Sequence, residues 1–246
     1  MKRGVPLLIS IILMFVVVSA SLADDAVQNL ESRVVASFDN PEEQRWTVRG
    51  SKFLAEGFPL VAYPPSWPEA IYGRNNSGLD LRVLGAKAAF DEQGYNYLEF
   101  FTVRENQAGE LEPAPIELPG RVREIDIWVW GSNYDYYLEV HLRDYTGRIH
   151  VLQLGDIRFV GWKNLSAAIP SYIPQSGGYI TEGGFIKQLE LEKIVLWTKP
   201  TENVAGFNVY IDQIKVLTDT FVTRFDGDDL ADPDKVQEIW SNAEGM

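Results

Sequence analysis

From Arg121 to Pro170 apolar and polar residues alternate so regularly that the segment must be read as successive β-strands. In an extended chain Ile125, Ile127 and Val129 fall on one side, and Glu124, Asp126, Trp128 and Trp130 on the other. A second run covers Tyr136 to Arg143, a turn signal stands at Asp144-Tyr145-Thr146-Gly147, a third run covers Arg148 to Leu154, and Gly161-Trp162-Lys163 opens a fourth. Similar runs precede it at Val34 to Phe38, Trp46 to Val48, Leu79 to Leu84 and Tyr95 to Arg104, and follow it at Leu189 to Trp197, Phe207 to Leu217 and Phe221 to Phe225. No amphipathic helix longer than three turns lies between them, so a parallel sheet has no crossover helices to build from. The expected fold is all-β, an antiparallel β-sandwich.

The amino terminus sets the compartment. Lys2 and Arg3 precede an apolar run from Val5 to Val18 that ends in Ser19-Ala20-Ser21-Leu22-Ala23. That pattern predicts a cleavable secretory signal over residues 1–23, and the run is too short for a membrane anchor. The remaining 24–246 are expected to form a single domain with no linker. Without cysteine there is no disulfide framework and no lipid-modified cysteine at the cleavage point. With Lys2 and Arg3 removed, 20 basic residues face 35 acidic ones, a formal charge of −15. Such a surface disfavours nucleic acid and anionic lipid and favours neutral or basic partners.

The ends of the mature chain differ from its middle. Val27, Leu30 and Val34 at helical spacing predict a short helix or disordered lead over residues 24–33. At the other end Asp232 can cap, Pro233 suits a first helical position, and Val236, Ile239 and Trp240 share a face, which predicts a short C-terminal helix. Three connections are long for a β-domain: Phe58 to Gly78, Glu105 to Gly120 and Ser171 to Gly184. The first holds Tyr63, Trp67 and Tyr72 among prolines, and stiff aromatic loops order at little entropic cost, so these three are candidate interaction residues. Trp128 and Trp130, on the polar side of their strand, are the other two: they form an aromatic face able to stack on sugar rings or dock a protein, or else lie under a loop.

Catalytic chemistry finds little to use. A two-residue turn at Tyr145-Thr146 would pair Arg143 with Arg148 and set His141 directly opposite His150. Zinc wants three or four ligands, whereas the neighbouring positions add one carboxylate, Glu139, and two repelling arginines, so the pair reads as an ordinary solvated or interface pair. These are the only two histidines, which removes most nucleophile-histidine mechanisms. Carboxylate pairs such as Glu124 with Asp126 or Glu190 with Glu192 match the needs of glycoside hydrolysis in number, but they read as a solvated acidic sheet face. No catalytic, metal or cofactor residue is therefore nominated, and the chain is read as a non-enzyme.

Four segments in order carry a resemblance: Glu-Ile-Asp-Ile-Trp-Val-Trp-Gly at 124–131, Leu-Glu-Val-His-Leu-Arg-Asp-Tyr-Thr-Gly at 138–147, Gly-Trp-Lys-Asn-Leu at 161–165 and Val-Tyr-Ile-Asp-Gln-Ile-Lys-Val at 209–216. Together they resemble the galactose-binding-like jelly roll that many carbohydrate-binding modules use. With the leader, the early strand at Phe38-Asp39 and the acidic charge, the pattern is similar to the outer-layer (sheath) protein family of spirochaete periplasmic flagella. The resemblance implies a periplasmic structural subunit that coats the flagellin core and affects filament stiffness and curvature. Its implied partners are flagellin core subunits, other sheath proteins and glycans on the core. An exported carbohydrate-binding module using the aromatic face is the alternative. Asp39 and Asp212 occupy places where related sugar-binding jelly rolls often hold a structural calcium, but two carboxylates plus backbone carbonyls are too little to nominate a metal site.

Overall fold

The computed structural model describes residues 29–75, 78–175, 188–220, 236, 237, 240 and 241. The expected signal segment and the run Phe221 to Phe225 lie outside the described residues. Thirteen strands are described: β1 (Leu30–Ala36), β2 (Trp46–Gly50), β3 (Leu60–Ala62), β4 (Leu84–Ala88), β5 (Tyr97–Glu105), β6 (Leu111–Pro113), β7 (Ile116–Glu117), β8 (Arg121–Ser132), β9 (Tyr137–Arg143), β10 (Ile149–Asp156), β11 (Val160–Ala168), β12 (Glu190–Trp197) and β13 (Phe207–Asp219). One short helix, α1 (Glu69–Tyr72), interrupts them. Val236, Gln237, Trp240 and Ser241 are helical, as the C-terminal pattern predicts; Ile239 lies outside the described residues.

The strands form an antiparallel two-sheet sandwich. The first sheet runs β11-β8-β13-β4-β3, with β1 on the C-terminal half of β13, and the second runs β10-β9-β12-β5-β2, with β6 on β5 and β7 on β12. Alternation decides which side chains enter the space between them. In β8, Ile125, Ile127 and Val129 are buried while Trp128 and Trp130 stay partly exposed on the outer side. Facing residues such as Phe100, Leu138 and Leu196 complete one apolar cluster reaching from Ala36 to Val216. Each such side chain removed from water contributes about 1.5–3 kcal/mol, and that burial holds the sheets together.

Three local expectations are corrected. Residues 30–33 are strand rather than helix or disorder, because β1 pairs with β13 from Leu30↔Asp219 onward. The run Leu79 to Leu84 becomes strand only at its end; β4 starts at Leu84, and Arg82 makes a single bridge to Pro65. Parts of two long connections pair as β3, β6 and β7, segments of two or three residues that take strand form from their neighbours.

The β9–β10 turn also differs, with larger effect. Gly147 has φ 88°, and the bonds Gly147 N to Asp144 O (2.9 Å) and Asp144 N to Arg148 O (2.9 Å) close a turn one residue longer than a two-residue loop. Arg143 therefore pairs with Ile149, His141 with Val151 and His150 with Leu142. Because a one-residue slip moves every side chain to the other face, the histidines lie on opposite sides of the sheet. His150 bonds Asp144 through Nε2 and Oδ2 (2.7 Å), and His141 lies 3.4 Å from Glu139 on the outer side. They are not a pair.

Candidate interaction surface

The outer face of the first sheet gathers most of the aromatic residues singled out in the sequence. Across its strands the registers Trp162↔Trp130, Trp130↔Tyr210 and Tyr210↔Gly85 place three rings in one row. Trp130 meets Tyr210 edge to face, with centroids 5.6 Å apart and planes at 80°. Tyr210 lies over Gly85: a Cβ there would stand 2.9 Å from the ring, so the absent side chain makes its seat. Trp162 and Tyr210 escaped the sequence reading, although Gly161-Trp162 was visible as a strand opening, because only strand register puts them beside Trp130.

The next row holds Asn164, Trp128 and Asp212. The Trp128 Nε1 is buried without a hydrogen-bond partner among the described residues. Asp212 is 2% exposed although it is on the outer side. Burial pushes its carboxyl up to about 8, and the nearby Asp39 charge adds to the rise, while a bond from the Gln213 amide opposes it. Gln213, at φ 46°, sits in a bulge of β13 and donates from Nε2 to the Tyr72 hydroxyl at 2.8 Å. That bond docks α1 on the sheet. Tyr72 is in turn held above the usual phenol range by burial and by the charges of Asp39 and Asp212.

The loop residues divide into anchors and edge. Tyr63 packs partly buried against the core, and its carbonyl accepts Arg82 Nη1 at 3.2 Å. The partly exposed Trp67 donates Nε1 to the Gly73 carbonyl at 2.9 Å, closing the loop on itself. Tyr72 reaches the β13 bulge beside Trp128, so register and loop together bring Tyr72, Trp128 and Trp130 onto one face.

Carboxylates elsewhere are tied up in structure. Arg143 bridges Glu190 (3.1 Å) and Glu192 (2.8 Å), and Asp126 takes Asn164 Nδ2 (2.6 Å) with Lys215 at 3.4 Å. Asp39 and Asp212 are close enough to interact, but Asp39 already accepts the Arg82 amide at 3.0 Å. Two carboxylates fall short of the six to eight oxygens that calcium takes, and among the described residues no group of three or more His, Asp or Glu is placed to hold a metal. Among the described residues no helix is long and apolar enough to cross a membrane.

Residues 68–226, from the edge of the aromatic loop through β13, match the family model for the flagellar filament outer layer protein. The chain belongs to the flagellar filament outer layer protein family. A protein of Brachyspira hyodysenteriae named as flagellar filament outer layer-like is 26% identical over 149 residues, 60% of this chain and 62% of that protein. The chain thus spans less than two thirds of that curated relative's length. The sandwich is similar in fold to the family 11 carbohydrate-binding module of a Clostridium thermocellum cellulase, with TM-score 0.42, 9% identity, 77% of this chain and 96% of that one covered. A module solved with β-1,4-galactotriose gives TM-score 0.40 and 17% identity over 76% of this chain and 99% of its own.

Proposed function

We propose that this outer-layer family member acts, over residues 24–246 as a single domain, as an exported non-enzymatic subunit of the sheath of a periplasmic flagellar filament. It coats the flagellin core, contacts core and neighbouring sheath subunits, and alters filament stiffness and curvature and hence motility. Glycans on the core are further partners. The observation that carries this reading is the family match over residues 68–226, the part of the chain that supplies Tyr72, Trp128, Trp130, Trp162 and Tyr210 to one outer face. A layer subunit repeats each contact many times along the filament, so modest contacts through that face sum to a stable coat.

Periplasmic filaments purified from the native host test the proposal. They are expected to contain this chain, and filaments from a deletion strain to differ in curvature. Filaments that lack the protein, or whose curvature is the same without it, would sink this reading.

A further inference from the structure

The outer face of the second sheet carries another aromatic row, which the filament role leaves unused. The registers Trp197↔Tyr97 and Trp197↔Tyr137 set three rings side by side across β5, β12 and β9, each partly exposed. Trp197 lies 5.1 Å from Tyr97, with planes at 62°, and 6.4 Å from Tyr137, with planes at 14°. Tyr95, 66% exposed, stands two residues before Tyr97, just outside β5, and is close enough to Tyr137 to contribute, after burial and Glu139, to raising its phenol. The indole of Trp197 is fixed in orientation, because Nε1 donates to Glu139 Oε2 at 2.8 Å.

Charges bordering this row are engaged within the protein, Glu139 by the Trp197 indole and by His141 at 3.4 Å. Glu99 is held by Arg49 and Lys193, and Lys199 by Asp135 at 2.6 Å and Asp156 at 3.3 Å. A polyanion would have to take the cations from their carboxylates, and a basic segment the reverse. An apolar protein segment would bury the rim groups without giving them new bonds, which is costly. A neutral pyranose avoids all three penalties: its C–H face lies on the rings, and its hydroxyls bond a rim of rigid acceptors and donors.

We infer that this face is a binding site for a neutral glycan, stacked along Tyr97, Trp197 and Tyr137, extended by Tyr95, and oriented by Glu139 and the Glu99 cluster. It lies on the sheet opposite the aromatic face assigned to filament contacts, so it does not depend on that assignment.

Affinity electrophoresis of the full mature chain tests it, in gels containing soluble β-glucan, β-galactan or α-mannan, with heparin as the polyanionic comparison. At least one neutral polysaccharide is expected to retard the protein and heparin is not. Tyr95→Ala, at an exposed side chain that the fold does not need, should weaken binding about threefold to tenfold, and Trp197→Ala should abolish it. Trp130→Ala, on the other sheet, should leave it intact. The site is overturned by absence of retardation in every neutral gel, by binding that survives both Tyr95→Ala and Trp197→Ala, by loss only with Trp130→Ala, or by stronger retardation with heparin. Incorporation of Tyr95→Ala into filaments, measured in parallel, separates failure of this site from failure of the sheath role.

Discussion

Asp144 shows how much one carboxylate can organise in a turn. Its Oδ1 accepts the Thr146 amide at 2.8 Å, the Thr146 hydroxyl at 2.5 Å and the Arg148 amide at 3.0 Å, while Oδ2 meets His150. Burial alone would raise this acid, yet the bonds from Thr146, His150 and Arg148 outweigh it and hold it at about 2. The folded value lies below the unfolded one of about 3.9, so the stabilisation is complete above about pH 4 and is lost as pH falls toward 2. Asp144→Asn is expected to cost about 2 kcal/mol at pH 7 and to flatten the acid limb of a melting-temperature profile. Asp212 behaves in the opposite sense. Its folded value, about 8, lies above the unfolded one, so its contribution is full below about pH 4 and drains away as pH rises toward 8. Asp212→Asn should therefore remove a decline in stability between pH 4 and 8 and leave the variant more stable than the parent by more than about 1 kcal/mol at pH 8. Thermal melts across that range check it; identical slopes in the two proteins would refute the assignment.

Elements were legible in proportion to how much of their form is local. β8 declared itself through alternation, and its inner residues are buried as that pattern requires, so Ile127→Ala should destabilise by about 3 kcal/mol in chemical denaturation. β1 did not. Its first residues carry helical spacing, and only hydrogen bonding to β13 draws them into a strand. β3, β6 and β7 are too short for any periodicity, and their partners β4, β5 and β12 are distant or obscured by proline. Gly85 in β4 shows a requirement visible only between elements, since the Tyr210 ring on β13 occupies the space of its missing side chain. Gly85→Ala is expected to displace that ring and cost about 1–3 kcal/mol, with a change in near-ultraviolet circular dichroism that Ala86→Gly would not share.

On the scale of the whole molecule, the sandwich separates two aromatic outer faces from one shared apolar core. Trp130 and Trp162 sit on the face proposed to meet the filament, partly exposed and outside the core. Trp130→Ala and Trp162→Ala should fold, with small shifts in melting temperature, and fall about tenfold in incorporation when the ratio of sheath to core protein is measured in isolated filaments. An unchanged ratio would remove that face from the contact. The formal charge of −13 adds a long-range contribution, so incorporation of the parent protein should also depend on ionic strength if the facing surface is basic.

The family came from the resemblance of four ordered segments; alternation, the lack of crossover helices, the absence of cysteine and a pair of histidines determined, from sequence alone, an antiparallel sandwich and the side-chain chemistry available to it. Those properties follow from which side of a strand a residue occupies and which functional groups exist at all, and neither needs a partner strand. The turn at Gly147, the separation of His141 from His150, and the joining of Trp162 and Tyr210 to Trp130 were decided only by tertiary structure. Register is a relation between strands far apart in the chain, and one inserted residue in a turn reverses every side chain beyond it.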